Sequence, residues 1–157
     1  MGITATSYVF NFQAFMFGCG MLFLCLVVHA FFVLIVTTHF KSSIQHLIRD
    51  KKKISAQMIF FLSIVVLLIS HLIQIYAWGL FTYLLGVIPN EHHAMVFAGS
   101  TYTTVGFTTD PLPQEWQLLT IIMAVSGLFS FGWSTAIMFI LSQALFPSEK
   151  SIDATQA

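Results

Sequence analysis

The feature that most constrains this chain is a set of three long segments that contain no Lys, Arg, Asp or Glu. They run from about residue 15 to 38, from 56 to 84 and from 116 to 146. A helix needs roughly 20 apolar residues to cross the hydrocarbon core of a bilayer, and each segment is longer than that. Only 8% of the 157 residues are charged, against about 25% in soluble domains. We therefore predict an all-α membrane protein with three transmembrane helices.

The basic residues predict how the chain crosses the membrane. Five of the six lie between the first two segments and the sixth follows the third segment: Lys41, Arg49, Lys51, Lys52, Lys53 and Lys150. Because cytoplasmic loops carry the excess of Lys and Arg, we expect loop 39–55 and the C-terminus in the cytoplasm. The N-terminus and segment 86–115, which has no Lys or Arg, then face outward.

The segment between the second and third spans is unusual for an external loop. Residues 92–102 predict a short, mildly apolar helix, and the sequence Thr-Thr-Val-Gly-Phe follows at residues 103–107. We interpret a short helix that stops and returns as extended backbone as a re-entrant loop. Non-helical backbone at membrane depth persists only inside protein or beside a water-filled cavity. The segment therefore calls for a pore or a partner chain.

These residues carry a resemblance to a known family. Residues 103–107 resemble the Thr-Thr-Val-Gly-Tyr core of the potassium-channel filter. Residues 127–136, Gly-Leu-Phe-Ser-Phe-Gly-Trp-Ser-Thr-Ala, resemble the inner helix of bacterial two-transmembrane potassium channels. The resemblance implies a tetrameric pore domain at residues 56–146, with an outer helix, a re-entrant pore helix, a filter loop and an inner helix. Residues 1–55 would add an interfacial segment, an extra transmembrane helix and the basic cytoplasmic loop, and residues 147–157 a short cytoplasmic tail.

The resemblance implies a function for individual residues in the filter. Rings of backbone carbonyls replace the water shell of a cation, and glycine permits the left-handed backbone that aims such carbonyls. The predicted ion-coordinating residues are Thr104, Val105, Gly106, Phe107 and Thr108. Acidic side chains at the outer mouth, Asp110 and Glu115 together with Glu91, would concentrate cations there. No cofactor is predicted, and no metal beyond the permeant potassium ion.

The third span carries the predicted hinge and gate. Gly127 and Gly132 would let the helix either bend or pack closely against a neighbour, and the sequence favours neither. Four side chains, at spacings of three and four, share one helical face and would line the cavity: Leu128, Phe131, Thr135 and Phe139. Four copies of Phe139 would form an apolar constriction able to gate by dewetting. An ordinary lipid-facing surface is the alternative.

The sequence departs from the family pattern just after the filter. Where the family has a second Gly and then Asp, this chain has Thr108, Thr109 and Asp110. A left-handed conformation costs a residue such as Thr roughly 1–2 kcal/mol. Ser100 stands where some relatives have a pore-helix Glu. Three functions therefore stay open: a potassium channel with a rebuilt outer site, a less selective cation channel, and a non-conducting accessory membrane subunit.

The expected partners follow from the same reasoning. A single pore loop supplies one quarter of a carbonyl ring, so we expect a homotetramer. The implied location is the bacterial inner membrane, with lipids around the chain and other membrane subunits as possible partners of the first helix. A net charge of zero gives no reason to expect a nucleic acid. Since no nucleophile–base set or carboxylate pair is apparent, an enzyme is not predicted.

Two histidines lie inside predicted spans, where ionisable residues are often functional. His29 and His71 fall about nine and about sixteen residues from the cytoplasmic edge, a depth difference of roughly 10 Å. That difference disfavours a haem shared by the two rings. We expect neutral histidines that are hydrogen-bonded between helices.

Overall fold

The described part of the chain is mostly helical. The computed structural model describes residues 11–49, 53–107 and 112–145, and these contain no strand. Helix α1 spans Phe12–Arg49, α2 spans Lys53–Leu84, α3 spans Glu91–Tyr102 and α4 spans Gln117–Leu145, with a 3-10 turn at Gln114–Trp116. Three stretches are long and apolar enough to cross a membrane: Phe12–Ser43, Ile54–Leu84 and Gln114–Leu145. The prediction of an all-helical chain with three candidate spans, as in a multi-pass membrane protein, is confirmed.

Helix α1 is longer than its apolar segment. It begins after Asn11, whose side-chain oxygen accepts hydrogen bonds from the backbone N–H groups of Gln13 and Ala14 at 3.0 and 3.1 Å. This cap satisfies N–H groups that have no partner within the helix. At the other end, the Thr38 hydroxyl donates to the Leu34 carbonyl at 2.7 Å, so the helix accommodates its threonines. The predicted loop at residues 39–55 is wrong for residues 39–49, which continue α1, because the change from apolar to polar residues there does not end the helix.

The chain divides into two compact units. The first comprises residues 1–24 and 75–127, and the second comprises residues 25–74 and 128–157. Helices α1, α2 and α4 contribute to both, whereas α3 belongs to the first.

In the first unit, α3 packs closely against α2. A Cβ atom built on Gly79 of α2 would lie 3.1 Å from the Met95 Cα atom and 3.3 Å from the Ala94 carbonyl oxygen. The absence of a side chain at this position therefore permits the two backbones to approach. Ala94 and Ala98 are fully buried, so small residues line this side of α3 as well.

A buried hydrogen bond joins α2 and α4 in the first unit. The Trp78 indole N–H donates to the Ser126 hydroxyl at 2.9 Å, and both side chains have no solvent-exposed surface. Ser126 in turn donates to the Met123 carbonyl of its own helix at 2.8 Å. The bulky indole thereby fills the space between the helices without leaving its polar group unsatisfied.

In the second unit, α1 and α2 run antiparallel and α4 packs against them. The apolar core consists of residues from all three helices: Val33, Val36, Phe40, Ala56, Leu67 and Leu141. A second set of fully or almost fully buried side chains is polar: His29, Ser70, His71, Gln74, Ser130 and Ser134. We call this set the histidine cluster.

The predicted depth difference between the two histidines is wrong. The ring centroids of His29 and His71 are 5.1 Å apart. Because α1 continues to Arg49 and α2 starts at Lys53, His29 lies 20 residues before the end of α1 and His71 lies 18 residues after the start of α2. The expectation of hydrogen bonds between helices is confirmed, since His29 contacts Ser70 of α2 and His71 contacts Ser134 of α4.

The Trp78–Ser126 bond yields a test of the fold. Ser126→Ala leaves the buried indole N–H without its acceptor, so we expect the free energy of unfolding in detergent micelles to fall by about 1–3 kcal/mol. Ser142→Ala serves as the control, because the Ser142 hydroxyl donates to the Phe139 carbonyl of its own helix. Equal stability of the two variants would contradict the assigned role of the bond.

Candidate functional site

The candidate site begins at helix α3, whose start is determined by a capping residue, Asn90. The Asn90 side-chain oxygen accepts a hydrogen bond from the His93 N–H at 3.0 Å, and Glu91 lies in the first turn. Both features stabilise a helix N-terminus. The last turn is anchored by Tyr102, which is completely buried. The helix therefore presents its C-terminal carbonyls, and the residues that follow, at a fixed position within the first unit.

Residues 103–107, which we call the post-helix strip, leave α3 in an alternating backbone conformation. Thr104 has φ 59° and Gly106 has φ 65°, whereas φ of the intervening Val105 is not positive. Thr104 is the only residue other than glycine with a positive φ in the described part of the chain. Backbone strain of this kind concentrates at functional sites. The five residues are all exposed.

The N–H groups of the strip turn back toward α3. Those of Thr103, Thr104 and Gly106 donate to the carbonyls of Gly99, Thr101 and Ser100 at 3.1, 3.0 and 3.0 Å. The described chain contains no cis peptide bond, and a trans peptide points its N–H and its preceding C=O in opposite directions. The carbonyls of Thr103 and Val105 therefore both point away from α3.

This arrangement differs from an ordinary helix end. With Thr103 as the C-cap, a Schellman end needs one left-handed residue and places the N–H of the second residue after the cap on the carbonyl three residues before the cap. Here that donor would be Val105 and the acceptor Ser100, but Gly106 makes the bond instead. The extra residue requires a second left-handed position, which glycine supplies without a Cβ penalty. The strip is thus held against α3 beyond the point where a cap would end.

The predicted filter residues lie on this strip, with one exception. Val105 and Phe107 are 66% and 64% exposed. Thr108, and Asp110 of the predicted outer mouth, lie outside the described residues. Glu115 is exposed in the 3-10 turn that precedes α4. Glu91 is exposed in the first turn of α3.

The two predicted hinge glycines differ in their surroundings. A Cβ atom on Gly127 would collide with the backbone carbonyl of Tyr102 at the end of α3. A Cβ atom on Gly132 would meet nothing within 4 Å. Helix α4 is continuous through both positions. For Gly127 the structure thus supports close packing, and the hinge at Gly132 stays a prediction.

The predicted cavity residues share an exposed face of α4 in the second unit. Leu128, Phe131, Thr135 and Phe139 are all exposed in the single chain. Thr135 satisfies its hydroxyl by donating to the Phe131 carbonyl at 2.8 Å. Such a face is available to a second copy of the chain or to lipid.

Sequence reasoning missed the buried serines of α4. Ser126, Ser130 and Ser134 recur at intervals of four, and each is buried and hydrogen-bonded to a residue of another helix. Residues four apart lie on one face of a helix. A polar stripe of this period in an otherwise apolar span is a signal of interhelical hydrogen bonds.

Comparison of the chain with protein-family models, with curated proteins and with solved structures found no match. We therefore infer function from the post-helix strip and from the exposed face of α4.

The close contact at Gly127 yields a second test. Gly127→Ala places a methyl group against the Tyr102 carbonyl, so we expect α3 or α4 to shift and the free energy of unfolding to fall by about 1–3 kcal/mol. Gly20→Ala is the matched control, since Gly20 is also helical and a Cβ there meets nothing within 4 Å. We expect the control to be unchanged or more stable by up to about 1 kcal/mol, because alanine favours helix. A Gly127 variant as stable as the Gly20 variant would refute the packing argument.

Proposed function

We propose that this chain is the subunit of a homotetrameric cation channel, with potassium as the favoured ion. In this proposal α3 is a re-entrant pore helix, and the post-helix strip is one quarter of the selectivity filter. Residues Thr104, Val105, Gly106 and Phe107 would face the ion pathway. Helix α4 would be the inner helix.

The observation that carries the proposal is the direction of the peptide groups in the strip. The N–H groups of Thr103, Thr104 and Gly106 are bonded to α3, and the carbonyls of Thr103 and Val105 point the other way from an exposed backbone. A cation that sheds its water needs several oxygens in fixed positions, and backbone carbonyls supply them in known filters. A row of carbonyls aimed to one side is the part of such a site that one chain can provide.

The exposed strip also argues for a closed assembly. One chain offers carbonyls from one side only, so it cannot surround an ion. A cyclic arrangement of identical chains would bring the strips together around an axis. The same arrangement would give the exposed carbonyls a cation or water as partner, where lipid would leave them unsatisfied.

Two further features support a cation as the ligand. The C-terminus of α3, which carries the negative end of the helix dipole, lies beside the strip. On α4, Phe139 is 62% exposed and shares a face with Leu128 and Thr135. In the proposed tetramer this face would line the cavity, and Phe139 would form its apolar constriction.

The proposal predicts a selective current. The purified chain in planar lipid bilayers, with potassium chloride on one side and sodium chloride on the other, should give a reversal potential near the potassium equilibrium potential. Absence of current under every gradient would overturn the proposal in favour of an accessory membrane subunit. A reversal potential at zero would overturn potassium selectivity and leave a less selective cation channel.

A matched pair of glycine variants tests the filter itself. Gly106 and Gly86 have φ of 65° and 69°, and a Cβ atom on either meets nothing within 4 Å. Alanine at either position costs about 1–2 kcal/mol of backbone strain. Only Gly106 lies in the strip, so Gly106→Ala should abolish the current or its selectivity whereas Gly86→Ala retains both. An equal effect of the two variants would contradict the assignment of the filter.

A further inference from the structure

The histidine cluster is a buried polar site that the proposed channel function does not use. His29 is completely buried and His71 is 5% exposed. The remaining members, from α2 and α4, are Ser70, Gln74, Ser130 and Ser134. No buried side-chain nitrogen or oxygen in the described residues lacks a hydrogen-bond partner. The arrangement of these bonds restricts which protonation states the cluster can adopt.

One serine hydroxyl lies between the two imidazoles. The Ser134 Oγ atom is 3.0 Å from the His71 Nε2 atom and 3.2 Å from the His29 Nε2 atom. A hydroxyl carries one hydrogen, so it can donate to at most one of the two nitrogens and must accept from any nitrogen to which it does not donate. At least one of the two Nε2 atoms therefore carries a proton, and the other can accept the serine hydrogen.

The second nitrogen of His29 has partners for both of its protonation states. Its Nδ1 atom is 3.0 Å from the Ser70 Oγ atom and 3.2 Å from the Gln74 side-chain nitrogen. Ser70 donates its own hydrogen to the Leu67 carbonyl at 2.7 Å, so its oxygen accepts from a protonated Nδ1. When Nδ1 is unprotonated, it accepts from the Gln74 amide, which Ser130 orients through a 3.0 Å bond to the amide oxygen.

These contacts also accommodate one additional proton. With His29 doubly protonated, Nδ1–H donates to Ser70, Nε2–H donates to Ser134, and the Ser134 hydroxyl donates to His71 Nε2. Every bond of this state joins atoms that are already in contact. When the Nε2 proton of His29 passes to Ser134 Oγ, the serine hydrogen passes to His71 Nε2. The positive charge thereby moves from one ring to the other, and the total number of protons is unchanged.

We propose that the histidine cluster is a proton-binding site that takes up a single proton, shared between His29 and His71 through the Ser134 hydroxyl. A second proton is excluded for two reasons. Both Nε2 atoms would then donate to Ser134, whose own hydrogen would lose its acceptor among the imidazoles. Two cationic rings with centroids 5.1 Å apart would also repel each other in a medium of low dielectric constant.

The residues around His29 and His71 favour a proton over a metal ion as the ligand of the cluster. The parts of α1, α2 and α4 that pack in this unit, residues 25–40, 54–74 and 128–145, contain no Asp, Glu, Lys or Arg. Their other titratable groups are Cys25, a buried thiol one turn before His29, and His39, which is exposed. No group of three or more His, Cys, Asp or Glu side chains able to hold a metal ion occurs among the described residues.

Aromatic rings adjoin both imidazoles, and the stacked one favours a positive charge. Phe131 stacks on His71 with centroids 4.3 Å apart and an interplanar angle of 22°. Trp133 meets His29 at 5.6 Å in an edge arrangement. The face of an aromatic ring attracts a cation, and more so in a desolvated site. The stacked ring at Phe131 thus compensates in part for the absence of an acidic partner.

Nitrogen-15 NMR of histidine-labelled protein in lipid nanodiscs tests the proposal without any measurement of current. His29→Gln and His71→Gln spectra assign the two imidazoles. From about pH 8 to about pH 4, we expect both imidazole signals to shift with one common midpoint and a total uptake of about one proton, as in coupled titrations. Independent titration of each ring by a full proton, or no change in either ring, would overturn the proposal.

Variants of the bridging hydroxyl provide the matched comparison. Ser134→Ala removes the atom that both Nε2 nitrogens contact, so the two rings should lose their common midpoint. Ser134→Thr retains a hydroxyl and should restore it. Ser63→Ala removes a buried hydroxyl of the same unit that lies outside the cluster and donates to the Ile59 carbonyl of its own helix, so it should keep the common midpoint. A common midpoint that persists in Ser134→Ala would refute the bridge.

Discussion

In the proposed re-entrant loop, a peptide group that leaves α3 at membrane depth needs a hydrogen-bond partner, and lipid offers none. The chain meets this requirement on one side of the post-helix strip, where the last carbonyls of α3 accept from Thr103, Thr104 and Gly106. The same bonds turn the carbonyls of Thr103 and Val105 to the opposite side. In the proposed tetramer a cation and water satisfy them, so the bonds that end α3 also create the proposed ion site.

Small residues on α4 allow this helix to pack closely against the end of α3 and against α2. Gly127 lets the α4 backbone approach the Tyr102 carbonyl at the end of α3, and Ser126 beside it accepts the Trp78 indole hydrogen. Further along the same helix, Ser130 and Ser134 continue the stripe at intervals of four and bond to Gln74 and to the two histidines. Short side chains thus serve two purposes on one helix: close backbone approach and hydrogen bonding between apolar helices.

The sequence predicted the three candidate spans and the short helix α3. Both depend only on the order of residues: long uncharged segments for the spans, and for α3 a mildly apolar stretch followed by Thr-Thr-Val-Gly-Phe. It misplaced the end of α1, since polarity marks where an apolar segment stops whereas helix geometry continues through Thr38 to Arg49. The error in helix length also produced the false depth difference between His29 and His71. The paired imidazoles depend on the register of α1 against α2, which residue types alone do not determine.

In the proposed channel, the carbonyls of residues 103–107 converge on an axis shared by several copies of the chain. Cryo-electron microscopy of the protein in lipid nanodiscs with potassium chloride measures this directly. We expect a fourfold assembly with unbroken ion density on the axis beside Thr104 and Val105. A monomer, an assembly whose strips face outward, or a collapsed axis without ion density would contradict it.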